Sequence, residues 1–161
     1  MLNEIFTEFD EALLQYGVEK IKTIGDAYMV VSGLIPRPDH AVCCLEFGIH
    51  MINTLTLYNH RHNSNIGIRV GINTGRVVAG VIGSKKFTYD VWGDAVNVAS
   101  TAPRMCVQVS QSTHALLCNL YSFDKRNGIL IKGKGVMDAY VLKKDYLDVY
   151  DDQEEEELMR L

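Results

Sequence analysis

The stretch that decides the fold is Lys20-Ile-Lys-Thr-Ile-Gly-Asp-Ala-Tyr-Met-Val-Val-Ser-Gly33, in which two β-rich runs meet at Gly25-Asp26. A glycine beside an aspartate between two such runs predicts a tight β-hairpin. Lys22 and Asp26 are charges in this apolar segment, and their even spacing predicts that both lie on one face of an extended chain. Taken alone, the stretch fits equally well a hairpin in which Asp26 is only a turn residue and Lys22 a solvated edge charge.

The rest of the chain alternates between helical and extended patterns. Apolar residues at helical spacing predict a first helix that ends at Gly17, and a second helix from about Asp39 to Tyr58 followed by a polar turn. Further strands are predicted at 66–72, 77–82, 87–92, 107–109, 129–131 and 139–142, with a helix opening at Gly93-Asp94 and another at 112–120. Several strands are joined by turns too short for a parallel crossover, which favours an α+β fold with a largely antiparallel sheet.

Composition restricts the function classes. The 161 residues are 47% hydrophobic, which is typical of one soluble globular domain. The net charge of −4 argues against a nucleic-acid partner, but the acidic run at 145–157 carries much of it and leaves room for a basic polyphosphate pocket. The four cysteines have no C-x-x-C spacing, so we expect small buried residues in a reducing compartment rather than a zinc site.

The interpretation of the first stretch is decided by a second one, Phe87-Thr-Tyr-Asp-Val-Trp-Gly-Asp-Ala-Val-Asn-Val-Ala-Ser100. Together the two resemble the class III nucleotidyl cyclases, whose patterns are K/E-x-I-G-D-x-Y-M and Y-D-x-W-G-D-x-V-N-x-A-S. The resemblance implies a cyclase catalytic domain at 1–143, followed by an acidic tail at 144–161 that we expect to be mobile or a helix out of context. It also implies a ferredoxin-like core of βαββαβ type, with helices packed on one face of a largely antiparallel sheet.

The resemblance implies a metal-assisted reaction in which a 3′-hydroxyl attacks its own α-phosphate. Two Mg²⁺ or Mn²⁺ ions per site, held by two aspartates on adjacent strands, would neutralise the triphosphate and polarise the nucleophile. Asp26 matches the second of these aspartates. The first belongs to an F-x-D-I-V-G-F-T stretch, which these residues do not include.

The resemblance also assigns the residues that read the base. Lys22 and Asp90 match the adenine-selective pattern, in which the lysine donates to the purine N1 and the aspartate accepts from the 6-amino group. Guanine reverses that edge, and guanylyl cyclases typically carry glutamate and cysteine instead. The pair therefore indicates ATP; the competing interpretation of Asp90 is a strand-end residue that bonds its own backbone.

Three further positions match substrate-binding residues of the family. Asn97 matches the asparagine that positions the ribose, although alone it would more often be a surface helix residue. Lys132, in Lys132-Gly-Lys-Gly135, matches a lysine on the terminal phosphates, and a basic surface turn competes with that role. Arg76 matches a phosphate-contacting arginine found in only some members.

One departure from the family follows Ser100. The family continues A-S-R-M-E-S, and its arginine stabilises charge on the phosphates, whereas here Thr-Ala-Pro-Arg104 follows and the chain is shorter between its flanking motifs. Either the loop is truly shortened, or residues are missing from the sequence, which we favour. Arg104 is a weak substitute for the catalytic arginine, because Pro103 would take it out of the helix.

The expected assembly is a head-to-tail homodimer with two sites at the subunit interface, because Asp26, Lys22 and Asp90 are all kept in one chain. The expected function is an adenylate cyclase in cyclic-nucleotide signalling, located in the cytoplasm, with a membrane-anchored parent chain compatible with this. The alternatives are a guanylate cyclase and a non-catalytic cyclase homology domain that regulates or dimerises.

Overall fold

The computed structural model describes residues 1–85, 87–93, 102–131 and 135–147. In chain order its elements are α1 (Leu2–Tyr16), β1 (Glu19–Ile24), β2 (Ala27–Val31), α2 (His40–His62), β3 (Arg69–Ile72), β4 (Val78–Ile82), β5 (Thr88–Trp92), β6 (Cys106–Ser110), α3 (Gln111–Leu117), β7 (Phe123–Ile131) and β8 (Gly135–Leu142), then a 3-10 turn at Lys144–Tyr146. The helix predicted to open at Gly93-Asp94 lies outside the described residues.

Helix α2 is longer than predicted, since it includes the first residues of the expected polar turn and ends at His62. Its last turn carries His60, Arg61 and His62, and cations there interact favourably with the helix dipole. Asn63 then takes a left-handed conformation with φ 47°, and its N–H bonds the carbonyls of the last turn. The polar residues thus complete and cap the helix rather than replace it.

The first core cluster joins the two long helices to the β1–β2 hairpin. Helix α1 buries Ile5, Phe9 and Ala12 on one face, and Phe47 and Met51 of α2 pack against them. Phe9 and Phe47 are each 1% exposed. Burial of a side chain of this size stabilises the fold by about 1.5–3 kcal/mol. The packed helices α1 and α2 therefore form a stable surface for the β1–β2 hairpin.

The second cluster covers a four-stranded sheet in the order β3-β6-β8-β7. Strands β3 and β6 are parallel, with Arg69 opposite Cys106, while β8 is antiparallel to both of its neighbours. Leu45 of α2, Val107, Leu117 of α3 and Leu142 are buried together on this sheet. Since the described strand pairs are antiparallel apart from β3–β6, the α+β prediction is confirmed.

Helix α2 serves both clusters, which explains its composition. By length and mean hydropathy it is the one helix among the described residues that could cross a membrane. Its apolar residues are nevertheless buried on α1 on one side and on the sheet on the other. This is the packing of a core helix.

Two hairpins lie beside the four-stranded sheet as separate two-stranded units. In the first, Ile24 pairs with Ala27, so Gly25-Asp26 forms a two-residue turn in which Gly25 has φ 61°. The predicted hairpin is thereby confirmed. Asp26, however, lies in the turn after β1 has ended, and the register shifts between Lys20 and Lys22, so the same-face spacing argument does not apply.

Two smaller expectations need correction. Tyr146 and Leu147, assigned to a mobile tail, pack against the second cluster, and the Tyr146 hydroxyl accepts a hydrogen bond from the Ser122 N–H. Residues 148–161 lie outside the described residues. Cys43 is buried as expected, but Cys118, the residue that caps the C-terminal end of the short helix α3, is exposed.

Candidate nucleotide site

The site is built on an ion pair between the two hairpins. The Lys22 ammonium on β1 lies 2.6 Å from a carboxylate oxygen of Asp90 on β5, and the side chains are 34% and 15% exposed. The other carboxylate oxygen of Asp90 accepts the Val91 N–H at 2.8 Å. The hydrogen bond from Lys22, and then that from Val91, hold the pKa of Asp90 below its usual value. The structure therefore brings together two residues that the resemblance assigned to base reading.

This pair can recognise one edge of a planar heterocycle. An ammonium is a donor only and a carboxylate an acceptor only, so together they match a ring that presents an acceptor beside a donor. Adenine presents N1 and the 6-amino group in that way. Guanine presents a donor at N1 and an acceptor at O6, so the same pair would have to meet it in reverse order.

The β1–β2 hairpin that carries Lys22 is tied to α1 by Asp10. Its two carboxylate oxygens each accept a hydrogen bond from the Lys20 ammonium at 2.7 Å, and the Tyr28 hydroxyl donates to one of them. Burial tends to raise the pKa of Asp10, but the hydrogen bonds from Lys20 and Tyr28 outweigh it and lower that pKa. Burial and the bond to Asp10 raise the pKa of Tyr28.

Tyr28 also supports the hairpin through its ring. Its centroid lies 5.1 Å from that of Phe6 and 5.5 Å from that of Phe9, and the Lys20 ammonium lies 4.9 Å from it on the ring face. Contacts of this kind add to area burial by about 0.5–1.5 kcal/mol each. The hairpin is therefore held by packing and charge together, although the sequence had given Tyr28 no role.

Asp26 at the hairpin tip is exposed, which leaves its carboxylate accessible to a ligand from solvent. No group of three or more candidate metal ligands occurs within the described ranges. Magnesium usually takes one or two carboxylates together with substrate phosphates and waters, so a single accessible aspartate fits part of such a site. Asp26 is one ligand at most, and the remaining donors have to come from elsewhere.

Arg76 lies exposed on the loop between β3 and β4. This loop touches the end of β5: a Cβ on Gly93 would lie 2.9 Å from the Arg76 carbonyl oxygen and 3.4 Å from the Val77 Cα. Gly93 also has φ 152°, which side chains rarely adopt. Only glycine suits this close approach, so Gly93 lies directly against the Arg76 and Val77 backbone.

Arg104 is placed away from this group. Its guanidinium donates to the carbonyl and side-chain oxygens of Asn65, at 2.6 and 2.9 Å, and packs over Gly67. Strands β3 and β6 are parallel, so both begin at one edge of the sheet and end at the other. Arg104 lies just before β6, at the edge where the strands begin, whereas Arg76 lies just after β3, at the edge where they end. This placement argues against the catalytic role expected for Arg104. Asn97 and Lys132 lie outside the described residues.

Exposed apolar side chains cover the β4–β5 hairpin. We use the name β4–β5 apolar patch for Val78, Val81, Ile82 and Phe87, which lie on both faces of the hairpin; Val78 is 69% and Phe87 74% exposed. Single exposed apolar residues are ordinary, whereas several on one small hairpin mark an interaction surface.

Known proteins share both the sequence and the fold. The family model described as the adenylate and guanylate cyclase catalytic domain matches residues 1–144. An adenylate cyclase from Mycobacterium tuberculosis is 44% identical over 88% of this chain and 33% of its own length. A membrane guanylyl cyclase from Dictyostelium discoideum is 36% identical over 88% of this chain and 10% of its own length.

Among solved structures, the guanylate cyclase domain of RhGC from Catenaria anguillulae, in complex with GTP, superposes with a TM-score of 0.80. It is 31% identical, over 88% of this chain and 81% of that one. This confirms the ferredoxin-like α+β fold of the cyclases. The chain spans a third or less of the length of these two curated relatives, of which one is an adenylate cyclase and the other a guanylyl cyclase. The chain belongs to the adenylate and guanylate cyclase catalytic domain family.

Proposed function

We propose that this domain is an adenylate cyclase that converts ATP into 3′,5′-cyclic AMP and pyrophosphate. The observation that carries the proposal is the 2.6 Å contact between Lys22 and Asp90. It joins a donor and an acceptor from two hairpins, partly open to solvent, and adenine presents a matching acceptor and donor. Lys22 and Asp90 bond each other in this structure, and adenine would exchange that bond for one to each residue.

The phosphate end is assigned to other residues. Asp26 is proposed to hold Mg²⁺ or Mn²⁺, two per site, with the remaining ligands coming from outside these residues and from the triphosphate. Bound metal would neutralise the triphosphate and favour the 3′-hydroxyl as a nucleophile. Arg76 and Lys132 are proposed to contact phosphates and Asn97 to orient the ribose. Attack of the 3′-oxygen on the α-phosphorus forms the ring ester, and the bond to pyrophosphate breaks.

The proposed assembly is a homodimer with a site at each subunit interface. Two features support it: the Asp26 turn is exposed at a hairpin tip, and the β4–β5 apolar patch lies on the same hairpin as Asp90. A second copy covering this patch would bring its own Asp26 to the site. We place the domain in the cytoplasm, where ATP is available, including the case of a membrane-anchored parent chain.

The test is a reversal of base selectivity. In the double variant Lys22→Glu with Asp90→Cys, the product ratio of cyclic AMP to cyclic GMP should fall by at least about a hundredfold, because a misplaced polar group costs roughly 1–3 kcal/mol at each contact. Both products are measured from equal ATP and GTP, with Mn²⁺ and with Mg²⁺.

A matched control exists in the same fold. Lys125 and Asp138 form a 2.7 Å ion pair between β7 and β8, so Lys125→Glu with Asp138→Cys makes the same chemical change elsewhere. That variant should keep the wild-type ratio. If the Lys22 and Asp90 variant retained strict ATP use, the assignment of these residues would be wrong.

A second candidate is a non-catalytic domain that binds nucleotide. It is favoured by one observation, that no group of three or more candidate metal ligands occurs among the described residues. Binding of ATP with no cyclic product in either metal would support this alternative.

A further inference from the structure

We propose that Ser112 and Thr113, in the first turn of α3, are positioning residues for the loop that carries Arg76. The inference rests on the proposed function, since it concerns the triphosphate end of the same site. The loop is residues 73–77, between β3 and β4, and the hydroxyls of Ser110, Ser112 and Thr113 form what we call the α3 hydroxyl cluster.

The cluster bonds the loop at three points. The Ser112 hydroxyl lies 2.8 Å from the Thr74 carbonyl oxygen and 3.2 Å from the side-chain oxygen of Asn73. The hydroxyls of Thr113 and Thr74 are 2.9 Å apart. One side of α3 thus holds the backbone and two side chains of the loop's first half.

Burial makes the Thr113 contact specific, whereas the two Ser112 contacts are exposed. Thr113 is fully buried and Ser110 is 6% exposed, so water cannot replace a lost hydroxyl partner there. Ser110 also bonds both partners, since its hydroxyl lies 2.9 Å from that of Ser112 and 3.2 Å from that of Thr113. It accepts the Thr113 N–H as the cap of α3 as well. The three hydroxyls therefore act as one unit with the helix start.

The loop is a joint between two sheets. Strand β3 belongs to the four-stranded sheet, whereas β4 belongs to the separate β4–β5 hairpin. The second half of the loop, Arg76 and Val77, lies against Gly93 at the end of β5. A loop held by α3 at one end and by Gly93 at the other has a constrained backbone at Arg76.

Loss of the α3 hydroxyl cluster should therefore weaken binding of the phosphates and leave the preference between adenine and guanine unchanged. Lys22 and Asp90 bond each other and the β5 backbone, and none of their described contacts reaches α3. Weakened positioning of Arg76 should raise the KM for ATP and the inhibition constant of pyrophosphate together. The ATP-to-GTP preference should not change.

The experiment compares wild type, Ser112→Ala, Thr113→Val and the double variant. For the double variant we expect pyrophosphate to inhibit about tenfold more weakly and KM to rise similarly, with an unchanged product ratio from ATP and GTP. Thr113→Ser keeps the hydroxyl and should restore inhibition to within about twofold of wild type. Thr7→Val is the control, because its hydroxyl bonds only a carbonyl of its own helix α1.

The outcomes separate this inference from the proposed function. Unchanged pyrophosphate inhibition in the folded Ser112→Ala and double variants would overturn the positioning role while the cyclase proposal stood. A preference for GTP in the wild type would overturn the substrate assignment, and weakened pyrophosphate inhibition would still support positioning. Thermal unfolding verifies that each variant is folded, and calorimetric binding of pyrophosphate with Mn²⁺ gives the same comparison without turnover.

Discussion

The two hairpins of this domain have similar strands but opposite surroundings. The β1–β2 hairpin is covered: Tyr28 and Val30 pack on the first core cluster, and Asp10 of α1 binds its polar groups. The β4–β5 hairpin is open: Val91 is buried, but Val78, Val81 and Ile82 face solvent. The ion pair of Lys22 and Asp90 joins one hairpin to the other.

The difference agrees with the proposed site, which would be shared between two subunits. The covered hairpin is supported by its own chain, so the position of Lys22 is set within one subunit. The open hairpin exposes apolar area that a second subunit can bury, and burial stabilises by about 25 cal/mol per Å². If this comparison is right, the two hairpins should respond differently to mutation.

The largest effect is expected on the open hairpin. Val81→Asp with Phe87→Glu would place two charges in the proposed dimer interface, and we expect dimer affinity and cyclase activity to fall by about a hundredfold or more. Sedimentation velocity and product formation measure the two quantities.

The control for this change is another exposed apolar pair. Leu130 and Val136 are cross-strand partners on β7 and β8 and are 73% and 69% exposed. Leu130→Asp with Val136→Glu should leave the dimer affinity unchanged. An undiminished dimer in the Val81 and Phe87 variant would remove this hairpin from the interface.

A smaller effect is expected on the covered hairpin. Tyr28→Phe keeps the ring but removes the hydroxyl that donates to Asp10, and because Asp10 is well exposed we expect a loss of only about 1 kcal/mol in unfolding free energy. Activity should fall severalfold, since the hairpin also carries Lys22 and Asp26.

Tyr121→Phe provides the comparison. Its hydroxyl donates to Glu46 at 3.0 Å, in a similarly exposed pair away from both hairpins. It should cost similar stability, measured by urea unfolding, with no loss of activity. Equal activity losses in the two variants would show that the Asp10 contact has no special bearing on the site.

The smallest effect concerns pH and the platform below the covered hairpin. The His50 ring lies 4.9 Å from that of Tyr16 and 6.2 Å from that of Phe47, and burial lowers its pKa although nearby Glu8 opposes this. In the unfolded chain the histidine pKa is about 6.5, so on acidification the unfolded chain binds the proton at a higher pH than the folded protein does. Stability from His50 is present in full above that pH and declines below it.

His50→Gln should flatten this dependence. The urea concentrations at the midpoint of unfolding, measured at neutral pH and at about pH 5.5, should differ less in the variant than in wild type. A His50 variant with the full pH dependence would assign that dependence to other groups.

Local signals in the sequence predicted the hairpins well, because Gly25-Asp26 and the β-branched runs act through neighbouring residues. They missed most of β7, since Asp124, Lys125 and Arg126 interrupt the apolar pattern. β7 is the outer strand of its sheet, and charged residues are usual on such edges.

Long-range contacts of the site had no local signal. Lys22 and Asp90 are 68 positions apart, and only the family resemblance suggested that they meet. The α3 hydroxyl cluster was missed because serine and threonine at a helix start are common caps. Its bonds to residues 73 and 74 follow from the parallel pairing of β3 and β6, which ends both strands at the same edge.

The most direct test of the central claim is a competition between the two substrates in the wild-type protein. Equal ATP and GTP are supplied with Mn²⁺, and initial rates of cyclic AMP and cyclic GMP formation are measured in one reaction. We predict that cyclic AMP predominates, because the Lys22 ammonium and the Asp90 carboxylate match the adenine edge. Predominance of cyclic GMP would contradict it.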